Sequence, residues 1–293
     1  MIFDSFTLLK REVPSLFCGT HVPLLPLSPK NITFVFMIEI TNNIRKLVSS
    51  LSETKHRKRS GLFKAEGTKC VLDTAEAFDS KYIFATEKWI DEYGTQLPIL
   101  SRSTLVKCSS KDLERMSGLT TPPQVIAVYH IPEFTLCPDN ITQELTLALD
   151  SIQDPGNLGT IIRTADWFGI RDILCSNTTA DVYNPKVVQA TMGAISRVRL
   201  HYCDLKSVIS AIADSVPIYG TFLDGENIYS SALDGKGIIV MGNEGNGVSD
   251  DVAQLIDKRL YIPSYPYGAA TSESLNVGIA TAITLSEFRR RII

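Results

Sequence analysis

From Leu145 onward the chain alternates short apolar runs, which read as buried strands, with amphipathic runs, which read as helices. The expected order is strand 145–149, helix 159–168, strand 171–175, helix 184–193, strand 197–201, helix 204–213, strands 217–222 and 237–241, helix 249–257, strand 259–262 and helix 275–290. Such alternation implies an α/β fold with a mostly parallel sheet covered on both faces. Ligands of such sheets bind outside the carboxyl ends of the strands, so the loops there are where function is sought.

Three of those loops carry unusual residues. The stretch LALDSIQDPGNLGTIIRTADWFGI breaks its strand at Asp154, Pro155 and Gly156 and restarts as a helix with Ile161, Ile162, Ala165 and Phe168 on its apolar side. Asn157 and Gly159 then fall in the loop or first turn, and Arg163 lies one turn beyond Gly159 on the same face. The strand IIVM runs into GNEGNGVSDDV, where Gly242, Gly245 and Gly247 let a ligand approach the backbone, and Asn243 and Glu244 are more than a plain glycine turn needs. The last loop, YIPSYPYGAATSESLNVGIATAI, leads into a long helix whose start carries Ser272, Ser274 and Asn276. Ser272 is the expected N-cap, Asn276 is an amide that needs a polar partner among apolar neighbours, and Gly278, Ala280, Thr281 and Ala282 keep one face narrow for close packing.

What these loops lack narrows the chemistry. This half of the chain has a single histidine, His201, placed within a strand, so Ser-His-Asp and Cys-His schemes have no base. The six cysteines are widely spaced, with no CxxC and no His/Cys cluster, which argues against metal ligation and disulfides and for buried thiols. The glycine spacing matches neither GxGxxG nor GxxxxGK[ST], which weakens a phosphate cradle and a nucleotide-binding dehydrogenase. Asn, Arg, Glu and Ser around glycine loops remain: groups that orient a substrate and stabilise charge.

Upstream the pattern changes. Residues 1–36 carry Pro14, Pro23, Pro26 and Pro29 without a sustained period and are expected to form a poorly ordered arm. Met37 opens a helical pattern, which suggests that translation starts there; mass spectrometry of the native N-terminus tests this. Residues 37–130 alternate short strands and polar helices as a small α/β domain, and 131–143, with Pro132 and Pro138, reads as a linker to a domain spanning 144–293. Between Lys55 and Lys64 lie five basic residues, Lys55, Arg57, Lys58, Arg59 and Lys64, and no carboxylate. That run is either a solvated helix end or a contact to an RNA phosphate backbone. The net charge of −3 gives no global nucleic-acid signal, so an RNA surface must be local. No apolar run spans a bilayer and no signal-peptide pattern opens the chain, so no membrane partner is expected and the cytoplasm is the default location.

Taken together, NxGxxxR at Asn157, Gly159 and Arg163, NEGNG around Glu244, IPS at 262–264 and SLNV at Ser274–Val277 resemble, in this order, the motifs of the SpoU/TrmH branch of the SPOUT superfamily, S-adenosylmethionine-dependent RNA 2′-O-ribose methyltransferases. KHRKRSGLFKAEG resembles the start of the small L30e-like substrate-binding domain of that family. The resemblance implies a SPOUT-type parallel sheet whose C-terminal segment forms a trefoil knot, and a homodimer with its sites near the interface. It implies S-adenosylmethionine held by Thr221, Gly242, Gly245, Ile262, Leu275 and Asn276, with Gly220 nearby. It also implies that Arg163 activates the ribose hydroxyl, as a base or as a stabiliser of the developing alkoxide, positioned with Asn157, Glu244, Ser274 and Asn276.

An enzyme for large-subunit (23S) ribosomal RNA is the expected member; a transfer-RNA methyltransferase and a non-catalytic RNA-binding protein are the alternatives. The loop SYPYGAATSE departs from the family's shorter linker by adding Tyr265 and Tyr267, which are either packing residues or a platform for an RNA base.

Overall fold

The computed structural model describes residues 40–96, 104–267, 270 and 272–292. The arm expected over 1–36 and the start expected at Met37 lie outside the described residues.

The first sheet is small and mixed. Helices α1 (Asn42–Ser50) and α2 (Thr54–Ser60) precede β1 (Leu62–Glu66); α3 (Thr68–Thr74), β2 (Ser80–Ala85), α4 (Glu87–Tyr93), β3 (Thr104–Lys107), α5 (Ser110–Met116) and β4 (Val125–His130) follow. The sheet order is β1-β4-β2-β3, with β4 antiparallel to both neighbours and β2 parallel to β3. Local chemistry sets the helix ends: Thr41, Thr86 and Ser109 cap α1, α4 and α5, Ser109 in a reciprocal capping box with Asp112. Gly61, at φ +64°, ends α2 in the left-handed region that a glycine enters without strain.

After α6 (Pro138–Gln143), a short helix inside the expected linker, the second sheet begins. Its elements are β5 (Leu145–Leu149), α7 (Pro155–Trp167), β6 (Asp172–Ser176), α8 (Pro185–Ala190), β7 (Arg199–Cys203), α9 (Leu205–Ile212), β8 (Ile218–Asn227), β9 (Gly237–Met241), α10 (Asp250–Ala253), β10 (Lys258–Tyr261) and α11 (Val277–Arg290). The order β10-β8-β9-β5-β6-β7 is parallel at every pairing. Every residue of the central strands β5 and β9 is buried, which is why both read as unbroken apolar runs.

The bounds differ from expectation where capping decides them. Asp154 accepts from Asn157 N and Pro155 occupies the first position, so α7 starts at Pro155 and takes Asn157 into its first turn. α11 starts at Val277 and its cap is Asn276, which replaces the expected Ser272. α10 is shorter than the expected 249–257, and β8 runs on to Asn227 beside β10.

α7 and α11 pack side by side and point the same way: a Cβ on Gly278 would lie 3.1 Å from Thr160 Cγ2, and eleven residues on Arg289 Nε donates to the carbonyl of Phe168. The two sheets share one apolar cluster that includes Phe63, Tyr129, Leu147, Ile162 and Phe288, with the rings of Phe63 and Tyr183 4.6 Å apart. His201 is a buried strand residue hydrogen-bonded to Asp172 at 2.7 Å. Cys70 and Cys175 are buried, whereas Cys137 is exposed, contrary to the expectation of buried thiols throughout. Among the described residues no helix is long and apolar enough to cross a membrane.

Candidate functional site

The carboxyl ends of β5 and β9 lie side by side at the point where the chain, having built outward through β6 and β7, returns to add β9, β8 and β10 on the other side. At such a switch point the loops diverge and leave a crevice. Asp150 ties the two ends together, its backbone N donating to Met241 O and its carboxylate accepting from Ser249 N at 2.8 Å. Beside it Ser151 adopts φ +61°, and its carbonyl accepts from Asn243 Nδ2 at 2.8 Å.

Asn243 organises the glycine loop. Its Oδ1 accepts from Gly245 N and Asn246 N, and its backbone exchanges two 2.9 Å hydrogen bonds with Gly247. The returning backbone passes so close that a Cβ on Gly242 would sit 2.3 Å from Gly247 C and Val248 N. Gly242 is therefore required by the loop's own closure. Asp150 and Asn243 were not among the expected site residues. The only trace of Asn243's role was an amide in a turn that glycines alone could make, and nothing in the strand pattern marks Asp150.

Two amides and a carboxylate from distant segments form a line. Asn276 Oδ1 accepts from Gly278 N and Ile279 N at the start of α11, which leaves its Nδ2 to donate to Asn157 Oδ1 at 2.9 Å. Asn157 Nδ2 in turn donates to Glu244 Oε1 at 2.5 Å. The helix end dictates the orientation of both amides, since swapping the ends of Asn276 would set N–H groups against N–H groups. Glu244 is thereby held by a donor that cannot turn away.

Glu244 also lines a cleft of about 660 Å³, a size suited to a small organic ligand. Thr221, Gly242, Gly245, Ile262 and Leu275 line it as well, as does Ser274. Asn157, Arg163 and Asn276 are not lining residues, although Leu275 and Val277 on either side of Asn276 are, and the Asn276 side chain is linked to Glu244 through Asn157. Arg163 is exposed on α7 and makes no hydrogen bond or ion pair with any described residue. A permanently charged guanidinium is thus left without a partner among the described residues. The described residues contain no group of three or more His, Cys, Asp and Glu that could hold a metal ion.

The basic run divides. Lys55, Lys58 and Arg59 are exposed on α2. Arg57 is buried: its guanidinium bonds Asp181 Oδ2 at 2.6 Å, the Leu51 carbonyl at 2.8 Å and Thr54 Oγ1 at 2.9 Å. Lys64 is also buried, 2.8 Å from both Glu66 Oε1 and the Met116 carbonyl. Both were expected to contact RNA. The structure uses them as internal struts, because β1 and the first helices pack inward and a buried cation must have partners.

Residues 144–286 match the SpoU rRNA Methylase family, and residues 42–127 match the MRM3-like substrate binding domain. The 23S rRNA (guanosine(2553)-2′-O)-methyltransferase RlmP of Bacillus subtilis is 33% identical over 244 residues, 82% of this chain and 93% of that protein. Among solved structures, a TrmH-family protein from Porphyromonas gingivalis aligns with a TM-score of 0.78 at 38% identity, over 87% of this chain and all of that one. The AdoMet-bound rRNA methyltransferase from Sinorhizobium meliloti aligns with a TM-score of 0.77 at 28% identity, over 87% of this chain and 97% of that one. A relative matched over nearly its whole length, and motif segments that meet at one cleft of a parallel sheet, lead to a single assignment: the chain belongs to the SpoU rRNA methylase family.

Proposed function

We propose that this protein transfers a methyl group from S-adenosylmethionine to a ribose 2′-hydroxyl of large-subunit ribosomal RNA. The observation that carries this reading is the line Asn276–Asn157–Glu244, which joins three motif segments at the rim of a cleft and leaves Arg163 unpartnered on the same helix as Asn157.

The cleft's residues suit the cofactor. Met241, Ile262 and Leu275 offer apolar surface for a purine, the glycine loop offers backbone groups, and Thr221, Ser274 and Glu244 offer polar atoms for a charged amino-acid tail. S-Adenosylmethionine supplies an electrophilic methyl group on a sulfonium. The protein's share is to orient the ribose oxygen and to stabilise the negative charge that grows there as the hydroxyl proton leaves. Arg163 does the second, as a cation that stays protonated. Asn157, Glu244, Ser274 and Asn276 do the first by fixing the loops against one another.

The reading includes an RNA-binding lobe over 37–130, a linker over 131–143 and a methyltransferase lobe over 144–293 whose C-terminal segment is knotted. Lys55, Lys58 and Arg59 form the phosphate contact of the first lobe. It also includes a cytoplasmic homodimer. In support of the dimer, Trp167 is 85% exposed on α7 and Ile279 51% exposed on the adjoining α11, apolar surface on two packed helices.

Nucleoside mass spectrometry tests the reading. Ribosomal and transfer RNA are incubated separately with the protein and S-adenosylmethionine, with Arg163→Ala as control. A 2′-O-methylnucleoside appearing only in ribosomal RNA, and absent with the variant, is the expected result. Product only in transfer RNA would reassign the substrate, and no product with no cofactor binding would leave a non-catalytic RNA-binding protein.

A further inference from the structure

Tyr265 and Tyr267 stand in the loop between β10 and α11 with 95% and 88% of their surfaces exposed. Packing, one of the two roles open to them from sequence, is therefore not what they do. Resting on the methyltransferase reading above, we propose that these two rings form a stacking platform for a nucleobase of the RNA substrate at the mouth of the cofactor cleft.

Placement is the first argument. The loop enters from the cleft wall at Ile262, Pro263 and Ser264 and returns to it at Ser272, Ser274 and Leu275. Tyr265 directly follows a lining residue and Tyr267 is two further along, so both Cα atoms lie within roughly 11 Å of that wall. Leu223, 70% exposed and itself a lining residue, adds apolar surface to the same mouth.

Chemistry is the second. Sequence-specific RNA recognition mostly targets single-stranded loops, bulges and ends, whose unstacked bases need a new π-face and find it on aromatic side chains. Exposed aromatic side chains meet that need without reading sequence.

The loop's composition separates this occupant from a second copy of the chain. Ser272, Glu273 and Ser274 of the same loop are exposed, whereas the core of an interface between copies is depleted in such groups. Two tyrosines also fall well short of the roughly 800 Å² per partner that a stable interface covers. The apolar surface on α7 and α11 is the better dimer face.

The test uses the full chain, an unmodified 23S RNA transcript and S-adenosylmethionine. Wild-type methylation establishes the reaction first, so failure of the reaction and failure of the platform are read separately. Tyr265→Ala, Tyr267→Ala and the double variant are then compared with the corresponding Phe variants for KM, cofactor affinity and sedimentation. The expected result is a KM for RNA raised about 5-fold to 150-fold by the alanine changes, in line with the worth of one stacked base, restored by Phe, with cofactor affinity and oligomeric state unchanged. An unchanged KM in the double alanine variant overturns the proposal. So does failure of Phe to restore it, which would assign the effect to the hydroxyls. Loss of the dimer in the alanine variants would give the surface to a second copy, and loss of cofactor binding would give it to the cleft; either result also overturns the platform.

Discussion

Asn276 joins the start of α11 to the first turn of α7: its Oδ1 accepts from Gly278 N and Ile279 N while its Nδ2 donates to Asn157 Oδ1 at 2.9 Å. One side chain thus caps a helix and aims an amide at Glu244, and substitution can separate the two duties. Asn276→Asp keeps a good cap but has no donor for Asn157. Its melting temperature is expected to stay near wild type while methyl transfer falls. Asn276→Ala loses both duties and is destabilised further by about 1 kcal/mol, the usual worth of a cap. Thermal melts alongside methyl-transfer assays check both.

The proposed function divides the work of the site between Arg163 and Gly242. Arg163→Ala removes an exposed, unpartnered side chain, so stability and cofactor affinity are expected to hold, while kcat falls by roughly 10²–10³, the scale seen on removing one charge-stabilising donor. Gly242→Ala forces a Cβ to within 2.3 Å of the backbone at 247–248, so the loop that lines the cleft must shift and cofactor affinity is expected to fall. Calorimetric titration with S-adenosylmethionine distinguishes them; equal loss of binding in both would refute the division.

The basic residues of α2 split into a buried strut, Arg57, and an exposed set, Lys55, Lys58 and Arg59. Arg57→Ala leaves Asp181 without its partner and is expected to cost on the order of 3 kcal/mol of stability, toward the low end for a broken buried pair because Asp181 is partly exposed. Lys58→Ala and Arg59→Ala are expected to change stability by less than about 0.5 kcal/mol. They are expected instead to weaken RNA binding and flatten its salt dependence. Denaturant titration and RNA affinity at several salt concentrations give the comparison.

Acid tests the end of α11. Glu287 is buried and bonded by Arg290 and Arg291, and chiefly the Arg290 hydrogen bond holds its carboxyl down at about 2, from an ordinary value of 4.5, against the opposing effect of burial. A depressed folded-state pKa gives stability that is fully present above 4.5 and lost as the pH falls toward 2. The difference in melting temperature between wild type and Glu287→Gln is expected to be largest near neutral pH and to shrink across that window. A constant difference from neutral pH down to the acid end would refute it.

The amino-acid sequence by itself determined the alternating architecture and which three loops matter, because apolar periodicity and glycine, proline and amide positions are local properties that act wherever the chain goes. It placed β5 and β9 to the residue, and it put Asn157, Glu244 and Asn276 in separate loops at the strand ends. What it left open were facts about neighbours. That the other end of the Asn276 amide meets Asn157, 119 residues away, depends on α7 and α11 packing side by side. That Arg57 and Lys64 are struts depends on Asp181 and the Met116 carbonyl, partners that a run of basic residues cannot announce. The roles of Asp150 and Asn243 depend on two strand ends meeting at a switch point. Burial and hydrogen-bond partnership across the sheet are decided by tertiary packing, and whether a polar side chain is a tool or a strut follows from them.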